Sequence, residues 1–388
     1  MRFVSRLLSN ELAHAARNFS AVILTGPRRA GKTTLLRHQF PRATYWLMED
    51  PDTITRVRSD PRAFVADLEP PVILDEIQNV PEIFNYIRTR IDAVPRRKGQ
   101  WILTGSQDAP LMQGVTESLA GRAAVLQLLP LSTLETPKVS LLRGGYPEVL
   151  ARPGAASLWF RSFVQTYLER DVRAVAAIRD LATFRQFLVL LAVRCGQILN
   201  KTDLAAPLGV SVPTVTQWLN ILEITGQIIL VPPFFENLGK RIIKSPKLYF
   251  VDSGLACHLL GIESEKTLGS SPFLGALFEG MVAAELVKQQ QGAGRRRELF
   301  FFRDQQGLEV DFIVPAGHRR LVLAEARASR TVTPAMADSL RRLARVMTRY
   351  KVEALVIHRP PPGAPRFSAL GPGVQAGTLG DLLARLAR

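Results

Sequence analysis

Ala21–Thr34 reads AVILTGPRRAGKTT: a short apolar run, a loop opened by Gly26 and closed by Gly31, then Lys32 and Thr33. A run of that length bounded by glycine reads as a buried strand. Gly-x-x-x-x-Gly-Lys-Thr between a strand and a helix reads as a loop whose backbone N–H groups wrap phosphates. The positive end of the following helix favours negative charge at the same point. Gly26, Pro27, Arg28, Arg29, Ala30, Gly31, Lys32, Thr33 and Thr34 are therefore expected to cradle a nucleotide. Lys32 would reach the β- and γ-phosphates, and Thr33 would offer its hydroxyl to Mg²⁺. ATP and Mg²⁺ are the implied ligand and metal.

Outward from this loop, the runs AVILT (21–25), TYWLM (44–48), PVILD (71–75), QWILT (100–104) and AAVLQLL (123–129) alternate with helical patterns. Such alternation predicts an α/β domain built on a parallel sheet. The third run ends in Asp75 and Glu76. A carboxylate at a strand's carboxyl end beside a phosphate loop can hold Mg²⁺ through water, and the next one can polarise the attacking water. Asp75 and Glu76 take those two roles, which points to hydrolysis rather than binding alone. Gln78 lies beside them and either orients water or packs the loop.

The chain has 388 residues and divides into four stretches: 1–137 as the phosphate-loop core, 138–189 as a helical lid, 190–268 as a helix-turn-helix with a wing, and 269–388 as a second α/β region. Lys and Arg outnumber Asp and Glu, 50 to 34, for a formal charge of +16. A surface so basic attracts polyanions, and nucleic acid is the first partner to expect. The two cysteines, Cys195 and Cys257, form neither a disulfide framework nor a metal-ligand spacing. No apolar run reaches the length of a membrane span. Together these features predict a cytoplasmic protein with no membrane partner.

Within 190–268, Asp203–Leu208 predicts a short helix, Gly209 a turn, and Ser211 the cap of a second helix running to about Leu222. Thr214, Thr216, Gln217 and Asn220 would line that helix's polar side, where DNA contacts are made. Lys240, Arg241, Lys244 and Lys247 follow as phosphate-seeking charges. The alternative is that this module packs on the core or on a protein partner.

The strings LTGPRRAGKTTLL, PVILDEIQNVPEI, WILTGSQ, ESLAGRA, LLPLSTLE, GGYPEVL, TYLERDV, KLYFVDSGLACHLLG and LFEGMVAAEL, in this order, resemble a bacterial and archaeal group of AAA-type ATPases. The resemblance implies an AAA-type core, a winged helix and a restriction-endonuclease-like C-terminal fold. It also implies that Ser106, or failing it Thr104, senses the γ-phosphate. Arg122 would act as an arginine finger, within its own site or in a neighbour's, which makes a homo-oligomer the expected assembly. In the last stretch, Glu279, Asp311 and Glu325 are the candidate set for a second Mg²⁺ site, with Arg327 where many members carry Lys. Arg cannot readily give up its proton, so a degenerate nuclease fold is the expectation. The leading functional expectation is an Mg²⁺-dependent ATPase that couples nucleotide state to DNA binding or remodelling. A nucleotide-dependent switch or scaffold for a protein partner, and an ATP-gated nuclease, are the alternatives.

Overall fold

The computed structural model describes residues 3–105, 117–168, 181–234, 244–361 and 368–387. Five strands, β1 (Ala21–Thr25), β2 (Thr44–Leu47), β3 (Val72–Asp75), β4 (Trp101–Thr104) and β5 (Ala123–Gln127), form one sheet in the order β2-β3-β4-β1-β5. Every pairing in it is parallel. The order explains the burial. The three inner strands are buried throughout, whereas the edge strands β2 and β5 carry partly exposed residues. An apolar cluster fills each face: Phe64, Phe84 and Ile87 lie on one side, Leu12, Leu35 and Leu36 on the other.

Beyond the sheet, helices Pro147–Ala151, Ala156–Phe163 and Leu181–Val193 precede a pair of helices, Lys201–Ala205 and Val212–Ile224. Asn200 caps the first of the pair. The Ser211 hydroxyl caps the second through the Thr214 N–H at 3.2 Å. Gly209 turns the chain between them at φ 64, a left-handed angle that suits glycine. The second helix runs on to Ile224, two residues beyond the sequence expectation, and leads into a two-stranded antiparallel ribbon of β6 (Ile228–Val231) and β7 (Lys247–Phe250).

The last stretch is a mixed sheet of six strands. These are β8 (Phe300–Arg303), β9 (Glu309–Pro315), β10 (Arg320–Ala326), β11 (Lys351–Ile357), β12 (Ser368–Gly371) and β13 (Val374–Gly377), in the order β12-β13-β11-β10-β9-β8. The long helix Leu274–Gly292 packs against it and against β7. Helix Asp338–Val346 crosses between the parallel pair β10 and β11. One apolar cluster runs without a break from the helices around Tyr146 through the helix pair to β9 and β10, so these parts share a core. Both cysteines are buried, and burial pushes their thiols up to about 12, which leaves them inert. Among the described residues, no helix is long and apolar enough to cross a membrane.

Candidate nucleotide site

At the carboxyl end of β1 the chain turns through Gly26 (φ 135), Arg29 (φ 62) and Gly31 (φ 98) before entering helix Lys32–Gln39. Gly26 has no alternative. A Cβ there would lie 2.1 Å from the carbonyl oxygen of Leu128, which follows β5. The Lys32 side chain is buried and folds back over the loop, its ammonium donating to the carbonyls of Gly26 at 2.9 Å and Pro27 at 3.1 Å. That posture keeps a cation within the loop itself.

Asp75 ends β3, buried, two strands away in the sheet order. Its Oδ2 accepts from the Thr33 hydroxyl at 2.6 Å and from the Tyr45 hydroxyl at 2.8 Å, and its Oδ1 accepts from the Thr104 hydroxyl at 2.7 Å. One carboxylate thus gathers a hydroxyl from the loop helix, one from β2 and one from β4. Oxygen donors of this kind, one carboxylate and one threonine hydroxyl at hydrogen-bond distance, suit a hard cation such as Mg²⁺. Burial first, and then the Asp75 carboxylate, holds the Tyr45 phenol well above its ordinary value, so it stays a donor.

Glu76 follows at φ 56. Its Oε2 accepts from the Gln78 amide at 2.6 Å and faces the Arg28 guanidinium at 3.9 Å. Gln78 Oε1 is buried and has no hydrogen-bond partner among the described residues. A buried acceptor left open is costly, and here it sits beside the carboxylate expected to polarise water.

Beside the loop helix lies a cavity of about 570 Å³, lined by Gly31, Thr34 and Leu35, by Phe3 and Arg6, and by Trp159 of the following helices. Its size and largely apolar walls suit a small organic ligand. Arg6, which sequence reasoning missed, is buried there. It donates to the carbonyls of Ala30 at 2.9 Å and Leu129 at 2.6 Å, and to Glu135 at 2.9 Å. Tyr45 was missed as well. Neither residue carries a local signal, because the partners lie 24 to 129 positions away for Arg6 and 30 for Tyr45.

Ser106 lies outside the described residues, as do Lys240 and Arg241. Arg122 immediately precedes β5, and its carbonyl accepts from the N–H of Ala21, the first residue of β1. It therefore sits at the amino edge of the sheet, a full strand of roughly 15 Å from the loop. Its guanidinium pairs with Asp92 at 2.6 and 3.0 Å. Reach into its own site, one of the two options for this residue, is corrected by that position.

Along helix Val212–Ile224, Gln217 and Asn220 are exposed, and so is Lys244 before β7. Thr214 and Thr216 are half-buried. Their hydroxyls bond to Ser211 at 2.8 Å and to the Val212 carbonyl at 3.0 Å, so they serve the helix itself.

Lys247 is no phosphate-seeking surface charge. Its ammonium is buried at 2.9 Å from Glu279, 2.6 Å from Glu309 and 3.2 Å from Asp311. Burial alone would push the lysine down. The charges of Asp311, Glu279 and Glu309 outweigh it and hold the ammonium protonated. Glu279 is pushed up to about 7 by burial and Asp311, against the pull of Lys247 and the Tyr249 hydroxyl. Glu325 is pushed up to about 9 by burial and Asp311, although Arg327 pairs with it at 2.7 Å. Arg303 completes the set at 3.2 Å from Glu309. Lys247, Arg303 and Arg327 thus bring three cations to the four acids Glu279, Glu309, Asp311 and Glu325. The second Mg²⁺ site expected at Glu279, Asp311 and Glu325 is corrected accordingly: a lysine pairs with Glu279 and Asp311, and an arginine with Glu325. Among the described residues, no group of three or more His, Cys, Asp or Glu side chains is arranged to hold a metal ion.

Comparison with known proteins assigns families to three stretches of the chain. An AAA domain family matches residues 18–136, a Domain of unknown function (DUF8612) matches 134–266, and a Domain of unknown function (DUF4143) matches 274–360. Two uncharacterized mycobacterial proteins, Rv2008c of Mycobacterium tuberculosis (strain H37Rv) and Mb2031c of Mycobacterium bovis (strain AF2122/97), are each 33% identical over 339 residues. Each alignment covers 85% of this chain and 75% of the relative. Among solved structures, the Walker-type ATPase PABY2304 of Pyrococcus abyssi has a TM-score of 0.44 at 16% identity, covering 65% of this chain and 94% of its own. The Thermotoga maritima RuvB Holliday junction branch migration motor has a TM-score of 0.32 at 17% identity, covering 59% and 91%.

Proposed function

This chain belongs to the family of the two mycobacterial proteins and carries an AAA-type P-loop ATPase domain, and on that premise we propose that it hydrolyses ATP with Mg²⁺ and couples the cycle to DNA. The observation that carries the hydrolytic part is the convergence of the Thr33, Tyr45 and Thr104 hydroxyls on Asp75, with Lys32 buried in the loop beside it. Thr33 and Asp75 are the residues that would hold Mg²⁺. When bound, the metal supplies positive charge to the phosphate oxygens of the nucleotide. Lys32 adds a second cation from the loop, and the backbone N–H groups of residues 26–34 orient the phosphates. Glu76 accepts the proton of the attacking water, and Gln78 turns its unpartnered Oε1 toward that water. The cavity around Phe3, Arg6 and Trp159 takes the nucleoside. Arg122, facing away from its own loop, serves a neighbouring copy, so the active form is a homo-oligomer.

DNA as the load is supported by the formal charge of +16 and by the helix pair with its β-ribbon, read as a winged helix. The test is ATP turnover against duplex, single-stranded and branched DNA and against none. Glu76→Gln should abolish turnover and keep ATP binding. Wild-type protein without turnover under any of these conditions would refute the motor reading.

A second reading, a nucleotide-dependent switch for a protein partner, is favoured by one contact. Gly226 packs against the phosphate loop so closely that a Cβ there would lie 3.1 Å from the Pro27 ring. The loop and the helix pair are therefore in direct contact. A nuclease at the second cluster is not proposed, because Lys247 and Arg327 already compensate its acids.

A further inference from the structure

The six-stranded sheet has an edge whose charge neither the nucleotide site nor the acid cluster uses. Strands β10 and β11 run parallel with Arg320 beside Lys351. Helix Asp338–Val346 crosses from the end of one to the start of the other. Its C-terminal end, the loop after it and the β9–β10 turn therefore meet at the amino edge of the two strands. The N–H of Lys351 donates to the Arg319 carbonyl at 2.7 Å, which ties that turn to the edge. Arg319, Arg342, Arg345, Arg349 and Lys351 are all exposed there, and none forms an ion pair among the described residues.

Nothing in this part of the chain neutralises them. From Arg327 to Arg388 the carboxylates are Asp338, Glu353 and Asp381. Asp338 is taken by Arg341, and Asp381 closes the capping box of helix Leu379–Leu386 with Thr378. Glu353 already faces two guanidinium groups, Arg320 at 2.8 Å and Arg385 at 3.3 Å. A basic residue in a helix's last turn complements the helix dipole, which accounts for Arg345 alone. It does not account for cations brought to the same edge by a strand, a loop and a hairpin turn.

We infer that this edge is a binding surface for the phosphodiester backbone of a nucleic acid. The inference rests on the DNA-coupled reading above and gives it a location outside the helix pair. Four of the five cations are arginines, whose planar forks match phosphate oxygens better than a lysine does. A bilayer is disfavoured, since Leu340, Leu343 and the following Met347 are buried against the sheet and leave Val346 as the one large apolar side chain this helix exposes. The edge also adjoins the β-ribbon. Phe234, shortly after β6, packs on Tyr350 at 6.4 Å between ring centres, and Tyr350 separates Arg349 from Lys351. The acid cluster lies toward the far end of β10, roughly 15 Å along the strand from Arg320, so a backbone held here stays clear of those carboxylates.

The experiment titrates full-length protein into a labelled duplex of about 30 base pairs by fluorescence anisotropy, from about 50 to 200 mM salt. The variant combines Arg342→Gln, Arg345→Gln, Arg349→Gln and Lys351→Gln, with thermal unfolding to verify the fold. Its plot of log affinity against log salt should be shallower by about 3–4 than that of the wild type, and its affinity at about 100 mM lower by on the order of 10³-fold. Should the fourfold variant not fold, Arg345→Gln alone should reduce the slope by about 1. An unchanged slope, with binding lost instead in Gln217→Ala/Asn220→Ala, overturns the inference and leaves the DNA reading standing. Wild-type protein that binds no duplex overturns both. An edge variant that loses binding to polyglutamate or phosphatidylserine vesicles, but not to the duplex, overturns the nucleic-acid assignment.

Discussion

Replacing Lys247 by Met tests the second cluster directly. Methionine keeps the length and much of the volume of the side chain, so the change is chiefly one of charge. The ammonium has a side-chain exposure of 3% and lies within 3.2 Å of three carboxylates. Once it is gone, Glu309 keeps Arg303, Asp311 keeps the N–H of Ala326 at 3.0 Å, and Glu279 keeps the Tyr249 hydroxyl at 2.5 Å. Glu279 and Asp311 then repel each other in a buried site with no cation between them. Breaking a buried pair in this way costs about 3–5 kcal/mol. The cost should depend on pH. Glu279 already titrates near 7 in the folded chain, against 4.5 as its reference, so the folded state binds a proton that the unfolded state has lost between those values. Stability from this group therefore falls as pH rises through that window. Losing Lys247, which lowers the Glu279 value, extends the window upward. Urea unfolding at pH 6 and at pH 8 should give a larger loss for Lys247→Met at pH 8. A loss below about 1 kcal/mol at pH 8, or one independent of pH, would refute the charge-balance argument.

Other expectations concern both sites. Asp75→Asn should weaken nucleotide binding in Mg²⁺ by on the order of tenfold and leave binding in EDTA nearly unchanged, as read by titration of a fluorescent ATP analogue. Arg6→Met removes two buried hydrogen bonds and one part-buried one but leaves Glu135 the N–H groups of Leu7 and Ser132, so a loss of about 2–3 kcal/mol in urea is expected, with weaker nucleotide binding because Ala30 loses its anchor. Glu325, up at about 9 when folded against 4.5 as its reference, lowers stability as pH rises between those values, with a slope of up to about 1.4 kcal/mol per pH unit. Glu325→Gln should flatten that slope in thermal unfolding from pH 5 to pH 8, and an unchanged slope would place the titration elsewhere.

The phosphate loop was legible because its demands are local. Gly26 and Gly31 adopt positive φ within six residues of each other, and the strand before them shows its burial as an unbroken apolar run. The same holds for Asp75 and Glu76 at the end of VILD, and for the Ser211 cap and Gly209 turn in the helix pair. Such features depend on backbone conformation, strand burial and capping, all set by residues a few positions apart.

Charge partners obey no such rule. A lysine reads the same in sequence whether it is solvated, as Lys244 is, or buried, as Lys247 is three residues later. Only tertiary packing brings Lys247 of β7 to Glu279 of the long helix and to Asp311 of β9. The sequence alone thus determined the P-loop, the parallel sheet that carries it and the acid pair at the end of VILD. Tertiary structure decided that Tyr45 and Thr104 orient Asp75, that Arg6 anchors the loop, that Arg122 faces away from its own site, and that a lysine lies where a second metal was expected. Electrostatic compensation acts through space over a few ångströms, between residues that the chain itself separates by tens of positions.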